Sequence, residues 1–165
     1  MFILLFKCVY SHYVFKAYDT KKIDLNKGKI TSMAISPDQG KLAVGFKSGK
    51  IILWSIQKSK IINEFTAHKK RVTALCFSTD NKYLVSGSWD KNIHLWELKS
   101  GKKAKTFKIF GHMRRIVASN DGKYLGFDFY EGVAVYDIQN KKVLKIEKGS
   151  NIEFSPNSKY FGLSY

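Results

Sequence analysis

Three side chains of this 165-residue chain, His68, Ser88 and Asp90, bring an imidazole, a hydroxyl and a carboxylate within 22 residues of one another. Those are the groups of an acyl-transfer triad, in which the imidazole takes the hydroxyl proton and the carboxylate orients the ring. Little else supports enzyme chemistry. The histidines His12, His68, His94 and His112 are scattered, and the chain has no His-Glu-x-x-His, no Gly-rich phosphate loop and no paired thiolates. His94 falls between Ile93 and Leu95 in a strand-like run, where a packed imidazole is a simpler reading than a ligand. Cys76 reads as a small apolar residue inside a strand. Cys8 and Cys76 lack the spacing of a disulfide scaffold or a zinc ribbon. Most acids fall in turns and do not pair for acid–base work. We therefore expect no enzyme activity, no metal and no cofactor.

Composition limits the remaining classes. At 44% hydrophobic and 25% charged the chain is globular, and its length allows one domain with a real core. No apolar run reaches the roughly 18–20 residues of a membrane helix. The segment Met1-Phe-Ile-Leu-Leu-Phe6 lacks a basic start and a small-residue cleavage site, and reads through Tyr10 as an apolar strand and not as a secretory signal. The expected setting is reducing and cytoplasmic, with the nucleus as the alternative. The formal charge of +16, from 29 basic and 13 acidic residues, raises the question of nucleic acid or acidic partners. Only Arg71, Arg114 and Arg115 among those basic residues are arginines. Bidentate recognition of phosphate and guanine favours arginine, so the lysines are a weak nucleic-acid footprint.

What must position all these groups is a repeat. Met33-Ala-Ile-Ser-Pro-Asp38 aligns with Leu75-Cys-Phe-Ser-Thr-Asp80, with Val117-Ala-Ser-Asn-Asp121 and with Glu153-Phe-Ser-Pro-Asn157. The serines Ser36, Ser78, Ser119 and Ser155 lie 42, 41 and 36 residues apart. A second marker keeps the same rhythm: Ile51-Ile-Leu-Trp54, Ile93-His-Leu-Trp96 and Val133-Ala-Val-Tyr136 are 42 and 40 apart. Each unit is punctuated as four short strands by Ser, Asp, Asn and Gly turns such as Ser78-Thr-Asp-Asn81 and Lys99-Ser-Gly-Lys102. No stretch sustains a helical period, so the chain is all-β. Tyr18 takes the Trp54 position one unit earlier, which makes Tyr13–Tyr18 and Lys22–Leu25 third and fourth strands. Asn151–Ser155 and Lys159–Ser164 are first and second strands. The sequence thus encodes three complete units and a half unit at each end.

At these residues the chain resembles the WD-repeat family of β-propellers, whose units of about 40–45 residues each fold as one four-stranded blade. The resemblance spans Tyr13 to Tyr165 and is strongest over Ala67–Leu98, which contains His68, Trp89-Asp90 and Trp96. It implies blades at about 26–66, 67–108 and 109–148, with partial blades at 1–25 and 149–165. It also implies a hydrogen-bonded structural set of His68, Ser88, Asp90 and Trp96, which displaces the triad reading. The first unit has Asn26, Phe46, Ser48 and Trp54 at the matching positions, and the third has Phe110, Asp128, Tyr130 and Tyr136, so apolar packing must hold those blades. Gly111-His112 sits two residues beyond the expected place and reads as coincidence or a displaced loop.

The function implied is a non-catalytic scaffold for protein partners, acidic ones among them, working through loops and faces. Loops before the first strand and between the second and third share one face in the family. Here they carry Lys69, Lys70, Arg71, Arg114, Arg115 and Trp89, an aromatic ringed by cations with the makings of an interface anchor. The bland alternative for Trp89 is a cover over the neighbouring blade's loop. Lysines such as Lys41, Lys82 and Lys123 recur at equivalent turns, as solvation and edge protection would place them. The alternatives in function are an RNA- or ribosome-associated propeller and an enzyme with a propeller-centre site. The open half blades are complementary, which allows closure into a small ring, a homodimer through the open blade edges, or a segment of a longer protein.

Overall fold

The structure, a computed structural model, describes residues 13–14, 22–109 and 111–164. The strand expected over Met1–Tyr10, most of the one over Tyr13–Tyr18, and Cys8, His12 and Phe110 lie outside the described residues. Among those described, the chain forms sixteen strands and no helix. A two-stranded sheet of β1 (Tyr13–Val14) and β2 (Lys22–Ile23) comes first. Next is a four-stranded sheet of β3 (Ile30–Ile35), β4 (Lys41–Phe46), β5 (Lys50–Ser55) and β6 (Lys60–Thr66). The second holds β7 (Val72–Phe77), β8 (Tyr83–Ser88), β9 (Asn92–Glu97) and β10 (Lys103–Lys108). The third holds β11 (Met113–Ala118), β12 (Tyr124–Phe129), β13 (Gly132–Asp137) and β14 (Lys142–Glu147). The two-stranded sheet of β15 (Ser150–Phe154) and β16 (Phe161–Ser164) ends the chain. Every pairing is an antiparallel meander in chain order, as short hairpin turns dictate. These are the blades of a propeller segment.

The sheets pack face to face, so the core lies in the seams between blades. Leu53, Phe65, Val72, Leu84 and Trp96 fill the seam between the first and second complete blades. Ile93, Met113, Ile116, Leu125, Phe127 and Tyr136 fill the next, and Val133, Val135 and Ile152 the one after. Middle strands therefore read as unbroken apolar runs, because both of their faces are covered. The outer strands β6 and β10 alternate toward exposure. Burial of one such Leu, Ile or Phe contributes roughly 1.5–3 kcal/mol, which makes the seams the main source of stability.

Two local devices set how the blades approach. The first strand of each complete blade carries a β-bulge, and in the first two blades the bulged residue, Thr31 or Thr73, turns its side chain toward the next blade. Thr73 there donates to the Met113 carbonyl at 2.8 Å, as Thr31 does to that of Val72. Across the pair stands Gly87, where a Cβ would collide with the Met113 side chain. The polar turns after the first strands are built alike: Ser78 Oγ donates to Asp80 at 2.7 Å and accepts from the Tyr83 N–H, and Ser119 and Asp121 repeat the pattern. Lys41, Lys82 and Lys123 pair with Asp38, Asp80 and Asp121 of those turns at 3.2, 3.1 and 3.6 Å.

Candidate functional site

The second blade carries a buried polar chain that starts on its third strand. Trp96 on β9 donates its indole N–H to Ser86 Oγ at 2.9 Å. Ser86 Oγ lies 2.8 Å from His68 Nε2, and His68 Nδ1 lies 3.1 and 3.2 Å from the two oxygens of Asp90. One assignment of protons satisfies every member: Nδ1–H donates to the carboxylate and Nε2 accepts from the serine. Burial, opposed by the neighbouring Asp90, holds the His68 imidazole below its ordinary pKa, so the neutral ring that this assignment needs is favoured. Burial would raise the Asp90 carboxyl, but the Lys69 and Asn92 N–H groups and His68 hold it below the usual range. The Lys69 and Asn92 donors sit at 2.9 and 3.0 Å.

The hydroxyl in this chain is that of Ser86 and not, as the sequence suggested, that of Ser88. Both serines share a strand face, but Trp96 pairs opposite Leu84 and His94 opposite Ser86, which puts Ser86 beneath the indole. Ser88 stands one pair too far along. It donates to the Lys70 carbonyl at 3.2 Å and accepts from the Asp90 N–H at 3.1 Å, bracing the turn instead. The same register puts Val44, not Phe46, at the Ser86 position of the first blade, and the Trp54 indole N–H there is buried without a partner. In the third blade it puts Phe127 and Glu131 where the sequence pointed to Asp128 and Tyr130, because the β12–β13 turn is a residue shorter. That blade is held by packing of Phe107, Phe127 and Tyr136, with ring centroids 4.5–6.5 Å apart.

His94 stacks on His68 with centroids 4.4 Å apart, bonds Thr106 Oγ1 through Nδ1 at 2.9 Å, and meets Trp96 edge-on. Burial, with His68 and Lys103 adding to it and Asp90 opposing, pushes its pKa down to about 4 from 6.5. The folded ring is therefore neutral where the unfolded one is protonated, and stability falls as pH drops from 6.5 to 4. The loss is expected to reach about 3 kcal/mol, at 1.36 kcal/mol per unit. Urea unfolding at steps across that range checks it. The slope should shrink in His94→Leu, and a slope unchanged by that substitution would assign the effect elsewhere.

On the loop face a row of cations and rings crosses from the second blade to the third. The Arg71 guanidinium lies over the Trp89 ring at 4.6 Å, and Trp89 leans on His112 with centroids 5.2 Å apart. His112 meets Tyr130 edge-on at 6.4 Å, and the Arg114 guanidinium lies 5.5 Å from the Tyr130 centroid. Trp89 is 38% exposed and Tyr130 64%. The backbone explains the alignment: the Trp89 N–H donates to the Arg71 carbonyl, and the Tyr130 N–H to that of His112. His112 thus occupies the Arg71 position of its blade, the displaced-loop reading of Gly111-His112. Trp89 both touches the neighbouring blade's loop and remains partly open to solvent. Lys69 and Lys70 are exposed beside it.

Arg115, grouped with these residues from sequence, is not among them. It points along β11 toward the last sheet and pairs with Glu153. Arg114 instead pairs with the buried Asp128, its Nη2 3.1 and 3.2 Å from the two oxygens. Asp128 occupies the register position of Gly87, and Arg114 that of Thr73. This seam therefore exchanges the Thr–Gly pair for an ion pair, and Asp128 also accepts from the Asn151 N–H of β15 at 3.2 Å. Sequence reasoning missed Tyr130 and His112 as members of the surface row. Counting 41 residues on from Arg71 and Trp89 finds both. Among the described residues no cluster of three or more His, Cys, Asp or Glu side chains is placed to hold a metal ion, and no helix is long and apolar enough to cross a membrane.

The family model described as WD domain, G-beta repeat matches residues 59–97, the stretch that contains the polar chain's Asp90 and Trp96. The model described as Vps8 beta-propeller matches residues 2–71. No curated protein sequence matches. Among solved structures, the Cps50 (Swd1) beta-propeller domain of Myceliophteria thermophila is similar with a TM-score of 0.74 at 16% identity, over 83% of this chain and 49% of that one. U3-55K is similar with a TM-score of 0.70 at 22% identity, over 76% of this chain and 42% of that one. The RRP9 WD40 repeats give 0.69 and 23%, over 76% and 41%. The chain spans less than half the length of each of these structures.

Proposed function

We propose that this chain, similar to the WD-repeat β-propellers in repeat and fold, is a non-catalytic scaffold whose loop face docks protein partners, with blades at 26–66, 67–108 and 109–148 as the rigid support. The observation that carries the reading is the row Arg71, Trp89, His112, Tyr130 and Arg114, which spans two blades and keeps two large aromatics partly exposed. Exposed Trp, Tyr and Arg on a rigid frame are the residue types that dominate interface energetics. The His68–Asp90–Ser86 set is unsuited to nucleophilic catalysis, since Ser86 and His68 are buried and the hydroxyl is bonded on both sides.

The proposal predicts that Trp89→Ala combined with Tyr130→Ala abolishes retention of specific partners in affinity purification while leaving thermal unfolding within a few degrees of the parent. Partners retained equally by parent and variant would refute this face as the docking site. An RNA-associated role is the competing reading. It predicts steep loss of oligonucleotide affinity between low and physiological salt.

A further inference from the structure

Resting on that reading, we infer that the Arg71–Trp89 corner receives a carboxylate from an acidic peptide segment of the partner. The same chemistry occurs once already on this face, at a different register position. An arginine beside an exposed aromatic occurs twice on this face, as Arg71 with Trp89 and as Arg114 with Tyr130. In the second pair the guanidinium also holds a carboxylate, Asp128, at 3.1 Å. Arg71 stands two residues before Thr73, the register equivalent of Arg114, and makes no ion pair among the described residues. Its Nε is buried without a hydrogen-bond partner, and so is Nδ1 of His112 on the same indole.

The Arg71 Nη groups are not among the buried unpartnered atoms, and an arriving carboxylate would make charge-assisted bonds with them. Lys69 and Lys70, exposed and without ion pairs among the described residues, extend the positive field around the corner. A peptide fits better than a nucleic-acid strand. Base stacking needs free aromatic faces, and the indole is already engaged by Arg71 and His112. His112 and Tyr130 meet at 88°, so they form no flat platform. The exposed Tyr130 offers apolar area for the residue that follows the carboxylate.

The test uses the full chain and a fluorescent, end-blocked peptide of alternating Glu and Leu, followed by anisotropy at about 0.15 M salt. The same peptide with Gln for Glu, a uridine oligonucleotide and inorganic phosphate serve as comparison probes. The Glu–Leu peptide should bind and the Gln–Leu peptide should not. Arg71→Gln should weaken binding at least tenfold, Arg71→Lys less, and Lys102→Gln in a turn after β9 less than twofold, with circular dichroism unchanged in all three. Equal losses from Arg71→Gln and Lys102→Gln would mean diffuse attraction to the +16 charge and would overturn the inference. So would equal binding of the Gln–Leu peptide, tighter Arg71-dependent binding of the oligonucleotide, or competition by phosphate but not by free glutamate peptide. If any of these occurs while Trp89→Ala with Tyr130→Ala still releases the partners, the scaffold reading stands and only the carboxylate assignment fails.

Discussion

Asp90→Ala is expected to destabilise the second blade by about 4 kcal/mol, several times the cost of an average surface substitution. The carboxylate accepts from His68 Nδ1, from the Lys69 N–H and from the Asn92 N–H, so one deletion leaves three donors without their acceptor. Two of the groups beyond it, His68 and Trp96, are buried and have no water to turn to. Each unmade buried bond costs about 1–3 kcal/mol, and the losses compound because His68 would no longer be oriented toward Ser86. The two serines sharpen the test. Ser86→Ala strands both the indole N–H and Nε2 and should cost about 2–3 kcal/mol, while Ser88→Ala loosens a turn and should cost about 1. Denaturant unfolding gives the order, and hydrogen exchange of β8 and β9 amides locates it. Equal costs for the two serines would dismantle the chain as drawn.

Gly49→Ala should be as damaging, although it removes nothing. Gly49 sits in the β4–β5 turn at φ +87, a backbone conformation an L side chain rarely adopts. An added Cβ would also meet the carbonyl of His68, which is backbone and cannot swing aside. Gly49 accepts the His68 N–H at 3.0 Å, so the collision lands on the residue that carries the polar chain of the next blade. Strain at a positive φ and overpacking of this kind each cost roughly 1–3 kcal/mol, giving about 3–5 together. The loss should appear in the second blade, one unit away from the substitution. Exchange protection of β8 and β9 falling with that of β4 and β5 is the expected result. Protection lost only in the first blade would show that the turn does not support His68. Blades coupled only to their neighbours transmit a local defect this way.

Much of the architecture was legible in the sequence because a repeat writes the same constraint several times. Ser36, Ser78, Ser119 and Ser155 mark four copies of a turn in which the hydroxyl must satisfy the backbone, and Trp54, Trp96 and Tyr136 mark three copies of a buried third strand. Strand periodicity and turn chemistry act over a few residues, so they survive in a linear reading. Site geometry was legible only in part. Ser86 and Ser88 lie two residues apart on one face and are equivalent to any periodic argument. The choice between them belongs to cross-strand register, which pairs Leu84 with Trp96.

The loop face needed more than register. Arg71, Trp89, His112 and Tyr130 come from two blades, and their order depends on how closely the sheets approach, a distance set by Gly87 against Met113. The exchange of Thr73 and Gly87 for Arg114 and Asp128 in the third seam is invisible until pairing aligns residues 14 apart. By itself the sequence determined the unit, its strands and the residue types available to each turn, because those follow from short-range backbone preferences. Tertiary structure alone decided which hydroxyl completes the buried chain and which arginine has its carboxylate. It also decided which rings share a surface, because these depend on side chains meeting across separately folded sheets.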